Sequence, residues 1–109
     1  MDDQPEFRLV ARQLLEADEF VVLGEAPDGN QAISAERLLR PEVVLMDVRL
    51  GSTSGLNAAR AMSRQTSPPV VVLTSTADYT SEVESCGAAG FIPKARLSGG
   101  SLRALLEGL

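Results

Sequence analysis

Three short runs of apolar, largely β-branched residues constrain the fold of this chain most strongly. They cover residues 20–23, 43–46 and 70–73, and a weaker fourth run covers residues 90–93. The three strong runs do not alternate apolar with polar residues, so both faces of each strand should be covered. Runs of this kind are typical of a parallel sheet with helices on both faces, because the helical crossovers bury both sides of the strands.

Helical patterns precede, separate and follow these runs. The predicted helices cover residues 5–17, 29–39, 55–64, 79–86 and 102–109. Pro5 suits a first helical position, and Asp28, Ser54 and Asp78 can each cap the helix that follows. Ser98 or Ser101 can open the last helix. Alternating helices and strands predict right-handed crossovers and a doubly wound α/β fold. The side chains expected on the apolar faces of the first two helices include Val10, Leu14, Leu38 and Leu39.

Bulk properties narrow the class of protein. The 109 residues fit one domain, residues 1–109, with no output domain in this chain. A net charge of -5 and a pI near 4.6 argue against direct nucleic-acid binding. The single cysteine, Cys86, cannot form an internal disulfide, and no apolar run is long enough to cross a membrane. We therefore expect a soluble, cytoplasmic, acidic domain.

Polar side chains gather where the predicted strands end. Asp47, Thr74 and Lys94 lie at or just beyond a strand's carboxyl end, and Asp2 and Asp3 open the first helix. In parallel α/β sheets the ligand crevice lies at this edge. Two carboxylates 4 Å apart repel by about 1 kcal/mol in water and about 4 kcal/mol at an effective dielectric of 20. Such a cluster should bind protons or a cation, and its oxygen ligands suit Mg2+ or Mn2+.

A carboxylate beside a metal can also act as a nucleophile towards phosphorus and form an acyl phosphate. That reaction needs the charge on the phosphoryl oxygens neutralised, and the ammonium of Lys94 and the hydroxyl of Thr74 are candidates. Each residue alone also has an ordinary structural interpretation. Asp47 can be a polar strand end, Thr74 can bond its own backbone, and Lys94 can be a surface lysine. The functional signal is in their combination and order.

That order resembles the receiver domains of two-component response regulators. The matching segments are DDQP (2–5), EAPDGNQA (25–32), RPEVVLMD (40–47), SGL (54–56), VVLTS (71–75) and GAAGFIPK (87–94). They run the full length of the chain. The resemblance implies a flavodoxin-like, three-layer α/β/α fold.

The resemblance also implies a role for each acidic residue of the cluster. Asp47 matches the aspartate that accepts phosphate from the phosphohistidine of a histidine kinase. Asp2 and Asp3 match the acidic pair that holds Mg2+ together with that aspartate. Arg49 matches the residue whose backbone carbonyl completes the metal site.

A second group of residues matches the family's switch. Thr74 matches the hydroxyl that turns towards the phosphoryl group, Lys94 the lysine that pairs with it, and Phe91 the aromatic switch position. The partners that the resemblance implies are a histidine kinase or phosphotransfer protein, an output domain or effector outside this chain, and, as a further option, a second copy in a homodimer. No enzymatic activity is expected beyond self-catalysed phosphorylation and dephosphorylation.

The chain departs from the family at its amino end. Receivers begin with a short apolar strand, central in the sheet, between the strands expected here at 20–23 and 43–46. This chain has its acidic pair at residues 2 and 3, with no such strand before it. Removing that strand would leave a gap near 10 Å, since neighbouring strands lie about 4.8 Å apart. The chain could have coding residues upstream, be shortened, close its sheet, or take a strand from a partner chain. We expect one of the first two.

Two other functions remain open. A phosphohydrolase working through an aspartyl phosphate typically has a second acid two residues after the nucleophile. Arg49 stands at that position and cannot act as a general acid. A degenerate, non-phosphorylated receiver could instead serve as a docking or dimerisation module. The intact set of five residues argues against this second alternative, and the absent strand argues for it.

Overall fold

The computed structural model describes all residues from 1 to 109. The helices are α1 Pro5–Ala17, α2 Gly29–Leu39, α3 Gly55–Ser63, α4 Val83–Cys86 and α5 Gly99–Glu107. The strands are β1 Val43–Asp47, β2 Arg49–Leu50, β3 Thr53–Ser54, β4 Val70–Ser75 and β5 Gly90–Pro93. Two 3-10 turns cover Thr80–Glu82 and Lys94–Arg96. No helix is both long and apolar enough to cross a membrane.

The main sheet is parallel and three-stranded, in the order β1-β4-β5. Asp47 on β1 lies opposite Thr74 on β4, and Thr74 in turn lies opposite Ile92 on β5. The carboxyl ends of the strands therefore meet at one edge, and Lys94 follows Ile92 there by two residues. The small strands β2 and β3 form an antiparallel hairpin between β1 and α3.

Each face of the sheet has its own apolar core, as the unbroken apolar runs predict. Met46, Met62 and Leu73 belong to the core under α2, α3 and α4. Val72 and Leu102 belong to the core under α1 and α5. The three layers α/β/α confirm the expected fold class, and every core residue except Cys86 is aliphatic or a methionine.

The predicted starts of α2 and α3 are confirmed by their caps. The side chain of Asp28 accepts a hydrogen bond from Gln31 N at 2.8 Å, and that of Ser54 accepts one from Asn57 N. Ser98 and Ser101 form a reciprocal capping box, so α5 begins three residues earlier than residue 102. These side chains satisfy backbone N–H groups that have no partner within the first helical turn.

The helix predicted over residues 79–86 is wrong in detail. A 3-10 turn precedes α4, which is a single helical turn. Asp78 Oδ1 accepts from Thr80 N at 2.9 Å, two residues ahead, so this side chain forms a local turn instead of a helix cap. Gly87 then ends α4 with a φ of 77°, a conformation that glycine adopts without strain.

The strand predicted over residues 20–23 does not form. These residues lie in an extended segment, and the backbone of residues 21–25 makes no backbone hydrogen bond. A strand needs a neighbour to complete its ladder, and a cavity of about 560 Å3 separates this segment from β1. Val21 is consequently 82% exposed and Leu23 is 53% exposed. β1 therefore does not pair with residues 20–23, and a gap remains between them.

Four helical side chains expected on apolar faces are exposed instead: Val10, Leu14, Leu38 and Leu39. The side chains of α1 that pack on the sheet are Phe7, Ala11 and Leu15. Val10 and Leu14 lie on the neighbouring face of the helix and are therefore exposed. Leu39 lines the cavity beside β1, where no strand lies beneath it.

Candidate functional site

Three carboxylates converge at the carboxyl edge of the sheet. Asp47 ends β1, and Asp2 and Asp3 precede α1; their ligand oxygens all lie within 4.8 Å of one another. Asp2 and Asp47 are buried, whereas Asp3 is exposed. This arrangement brings the predicted acidic cluster together.

Met1 and Asp2 reach this position because their backbone bridges the gap in the sheet. Met1 bonds β1 through its amino group to Leu45 O at 2.7 Å and through its carbonyl to Asp47 N at 2.9 Å. On the other side, Asp2 N donates to Ala26 O at 3.0 Å. Asp2 therefore sits at the sheet edge beside Asp47.

Lys94 is the cation of the cluster. Its Nζ lies 2.7 Å from Asp2 Oδ2 and 3.1 Å from Asp47 Oδ2. The same ammonium lies 4.2 Å from the centroid of the Phe7 ring, a cation–π contact. The 3-10 turn that follows β5 begins at Lys94 and places it over the two buried acids.

Burial and neighbouring charges act in opposite directions on the pKa of Asp47 and on that of Lys94. Burial raises the pKa of Asp47, as does the charge of Asp2, while the N–H of Arg49 and the ammonium of Lys94 favour the ionised carboxylate. Burial lowers the pKa of Lys94, but hydrogen bonds to Asp2 and Asp47 outweigh it, so the pKa is raised overall. Lys94 thus remains an ammonium at neutral pH. With one such cation among three acids, the site favours a further positive charge.

Thr74 is buried beside Asp47 in the register of the sheet, and its Oγ1 has no hydrogen-bond partner. A buried hydroxyl left unpaired costs roughly 1–3 kcal/mol. Phe91 lies on the neighbouring strand, half-buried, and packs against the core under α2–α4. Thr74 therefore lies directly beside Asp47, and Phe91 lies one strand further along the sheet.

The loop after Asp47 is held in place by contacts that the sequence did not indicate. Arg49 N donates to Asp47 Oδ1 at 3.2 Å, while its side chain is exposed. Thr53 Oγ1 accepts from Gly29 N at 2.8 Å and donates to Leu50 O at 2.5 Å. Thr53 therefore ties the β2–β3 hairpin to the start of α2.

Thr53 and Phe7 belong to this region although no local sequence pattern places them there. The loop sequence Gly51-Ser52 is typical of a turn, and Gly51 adopts a φ of 62° at the tip of the hairpin. For Phe7 the signal was its place on the inward stripe of α1. Its contact with Lys94 joins residues 87 positions apart, so no local pattern could reveal it.

The donor set fits a magnesium ion. Mg2+ takes oxygen ligands, keeps several waters and is usually held by one or two carboxylates. Asp2 and Asp47 supply buried carboxylates, and exposed Asp3 leaves room for water on its side. Lys94 contacts the carboxylates of Asp2 and Asp47, which are also the buried candidate ligands of the metal. The ammonium and a metal ion would therefore bind the same two carboxylates.

Comparison with known proteins agrees with this geometry. A sequence model of the response regulator receiver domain matches residues 1–106. The transcriptional regulatory protein PdtaR of Mycobacterium tuberculosis is 30% identical over 95 residues, which cover 85% of this chain and 46% of PdtaR. A protein-glutamate methylesterase/protein-glutamine glutaminase of Pyrococcus horikoshii is 35% identical over 99 residues, which cover 86% of this chain and 27% of that protein. The chain thus spans under half of the length of these curated relatives.

Solved structures show the same fold. The signal receiver domain of NarL from Mycobacterium tuberculosis superposes with a TM-score of 0.87 and 31% identity, covering 98% of this chain and 90% of that one. The response regulator domain of CheB from Thermotoga maritima superposes with a TM-score of 0.77 and 26% identity, covering 97% and 84% of the two chains. The family match, the fold and the arrangement of acids and lysine agree, and the chain belongs to the response regulator receiver domain family.

Proposed function

We propose that this domain is a phosphoacceptor switch in two-component signalling. Asp47 would take a phosphoryl group from the phosphohistidine of a histidine kinase or phosphotransfer protein. The observation that carries this proposal is the position of Asp47. It is buried at the sheet edge, 3.1 Å from the Lys94 ammonium and opposite the unpartnered Thr74 hydroxyl.

The transfer step follows from the chemistry of the groups. A carboxylate oxygen of Asp47 attacks phosphorus, an O–P bond forms, and the N–P bond to the donor imidazole breaks. The imidazole leaves with the electron pair of that bond and takes up a proton. The product is an acyl phosphate on Asp47 and an unmodified donor histidine.

A metal ion and Lys94 would together neutralise the charge on the phosphoryl oxygens. Asp2, Asp3 and Asp47, with the backbone carbonyl of Arg49, would hold Mg2+ or Mn2+. When bound, that ion neutralises charge on the phosphoryl oxygens. Lys94 then provides a second, fixed positive charge, and the Phe7 ring against its ammonium helps to orient it.

The switch would use Thr74 and Phe91. An acyl phosphate on Asp47 offers acceptor oxygens near the Thr74 hydroxyl, which is buried and has no other partner. Movement of Thr74 frees space beside Phe91, and a changed rotamer of this half-buried ring alters the surface around α4 and β5. A histidine kinase would bind the unphosphorylated domain. An output domain, an effector or a second copy would bind the phosphorylated domain.

A docking module without phosphorylation is the second candidate. The cavity beside β1 favours it, because residues 21–25 do not pair with β1 and the backbone of Met1 and Asp2 alone bridges the gap in the sheet. A phosphohydrolase is disfavoured, since exposed Arg49 occupies the position of the expected general acid.

Backbone amide NMR separates the candidates. Mg2+ with beryllofluoride should shift amides around Asp47, Thr74 and Phe91, and Asp47→Asn should abolish those shifts. Asp18→Asn is the matched control, since Asp18 lies at the opposite end of α1 and should leave the response intact. Absence of any response in the unmodified chain would favour the docking module.

A further inference from the structure

Arg8 on α1 connects the acidic cluster to the extended segment that ends at Glu25. Its Nη1 donates to the backbone carbonyl of Asp2 at 2.7 Å, and its Nε donates to Glu25 Oε1 at 3.3 Å. The Arg8 side chain is 20% exposed, and Asp2 is buried. A planar guanidinium holds two acceptors in a fixed geometry, which a lysine ammonium cannot do. Arg8 therefore ties Asp2 to Glu25 through one rigid group.

The carbonyl that Arg8 holds belongs to the peptide unit between Asp2 and Asp3. The N–H of Asp3, the other polar group of this unit, makes no hydrogen bond. The contact with Arg8 is therefore the one hydrogen bond that the peptide unit makes. Rotation of the unit would turn both candidate metal ligands relative to Asp47. Arg8 thus fixes the orientation of two acids through a single backbone carbonyl.

Glu25 and its neighbour Ala26 act on Asp2 from both sides. Ala26 O accepts a hydrogen bond from Asp2 N at 3.0 Å, and Glu25 holds the guanidinium that bonds the Asp2 carbonyl. The side chain is fixed as well, since Asp2 Oδ1 accepts from Gln4 N at 2.9 Å. A site that binds a metal ion tightly needs ligands held in place by such supporting contacts.

An ordinary surface ion pair is the alternative interpretation of Arg8 and Glu25. Glu25 is 35% exposed, and pairs at such positions contribute little to stability. Arg12 provides a comparison within the chain, because its Nε lies 2.7 Å from Glu25 Oε2. Arg12 lies one helical turn after Arg8 and makes no bond to Asp2. Of the two arginines, only Arg8 joins the ion pair to a buried acid.

We propose that Arg8, held by Glu25, is a positioning residue for Asp2 and Asp3 as ligands of Mg2+. This inference rests on the proposed function, because it takes these acids as the metal site. Through its charge alone Arg8 would repel Mg2+, so its removal would strengthen binding. Through positioning it has the opposite effect, since loss of a supporting contact typically weakens a metal site 10–100-fold. A substitution that keeps the charge separates the two effects.

Arg8→Lys and Arg12→Lys form a matched pair for this test. Each keeps the charge of α1 and replaces one guanidinium that bonds Glu25, but only Arg8→Lys loses the link to Asp2. Mg2+ titration followed by amide shifts should give a Kd about tenfold higher in Arg8→Lys and within about twofold of the unmodified chain in Arg12→Lys. Urea denaturation without Mg2+ should give the two variants similar midpoints.

Amide hydrogen exchange without Mg2+ measures the positioning directly. The amide of Asp2 bonds Ala26 O, and the amide of Gln4 bonds the Asp2 carboxylate. Both amides should exchange about tenfold faster in Arg8→Lys than in Arg12→Lys, because Asp2 is no longer held at its carbonyl. This measurement involves no metal and is independent of the proposed function.

Unchanged Mg2+ affinity or unchanged amide exchange in Arg8→Lys would overturn the inference. An equal loss of affinity in Arg12→Lys would also overturn it, because the pairing with Glu25 and not the contact with Asp2 would then be responsible. If the unmodified chain binds no Mg2+ while the two amides still respond to Arg8→Lys, the proposed function fails and the positioning of Asp2 by Arg8 is supported.

Discussion

The ammonium of Lys94 lies 2.7 Å from the carboxylate of Asp2 and 3.1 Å from that of Asp47, so one cation serves two buried acids. The two acids lie side by side at the carboxyl edge of the sheet but belong to different segments: Asp2 follows Met1, which bonds β1, and Asp47 ends β1. Lys94 therefore links the amino end of the chain to the carboxyl end of β1. Its removal should affect stability and metal binding in opposite directions.

Lys94→Met should leave both buried acids without their cation. Breaking a buried pair from one side is strongly destabilising, up to 3–5 kcal/mol when burial is complete. Because Lys94 retains 12% side-chain exposure, we expect a loss of about 2 kcal/mol in the free energy of unfolding with EDTA present. Mg2+ should restore part of that loss. Urea denaturation with and without Mg2+ measures both, with Arg64→Met as the exposed control. Equal losses in both variants would argue against the pairing.

Thr74→Val should stabilise the unphosphorylated domain. The substitution keeps the shape of the side chain and removes a buried hydroxyl that has no partner. We expect a gain of about 1 kcal/mol in the free energy of unfolding. The same variant should lose the amide shifts induced by beryllofluoride at Phe91, while Thr74→Ser should retain them. A destabilised Thr74→Val would mean that the hydroxyl has a partner in solution.

Thr53→Val should loosen the loop that follows Asp47. The change removes the acceptor for Gly29 N and the donor to Leu50 O, at a cost of roughly 1–3 kcal/mol. If the loop presents the Arg49 carbonyl to the metal, Mg2+ affinity should fall several-fold. Titration of the two variants by amide shifts checks this, with Thr53→Ser expected to keep both the bridge and the affinity. Unchanged affinity in Thr53→Val would exclude a positioning role.

Glu25 should contribute a pH-dependent increment of stability. A hydrogen bond from Arg12 lowers the pKa of Glu25 in the folded chain, and Arg8 adds to this. A carboxyl with a lowered folded pKa stabilises the fold above its unfolded pKa, near 4.5, and loses that contribution as pH falls through the folded value. The group is exposed, so we expect less than about 1 kcal/mol.

Urea denaturation of Glu25→Gln and the unmodified chain between pH 3 and pH 7 tests this increment. The difference in free energy of unfolding should be present near pH 6–7, fall as the pH drops below 4.5 and disappear below the folded pKa of Glu25. It should also shrink in high salt. A difference that grows as the pH falls would contradict the sign of this prediction.

The parts of the fold that follow from local sequence were predictable. The strand ends at Asp47 and Thr74 are marked by the change from apolar to polar residues, and the register of a parallel sheet brings them together. Helix starts at Asp28 and Ser54 were readable because capping depends on residues within one helical turn. These features require no knowledge of distant contacts.

The parts that failed depend on distant partners. Residues 20–23 have the composition of a strand, but a strand exists only when a neighbour supplies hydrogen bonds. The contact between Phe7 and Lys94 and the bridge from Thr53 to α2 join elements far apart in sequence. Such contacts follow from the packed structure and have no local pattern.

Phosphorylation of Asp47 is the central claim, and an intact-mass measurement tests it most directly. The unmodified chain, Asp47→Asn and Asp18→Asn are each incubated with Mg2+ and a small acyl phosphate donor. The unmodified chain and Asp18→Asn should each gain the mass of one phosphoryl group, and Asp47→Asn should gain none. Equal phosphorylation of Asp47→Asn, or no mass gain in the unmodified chain, would contradict the account.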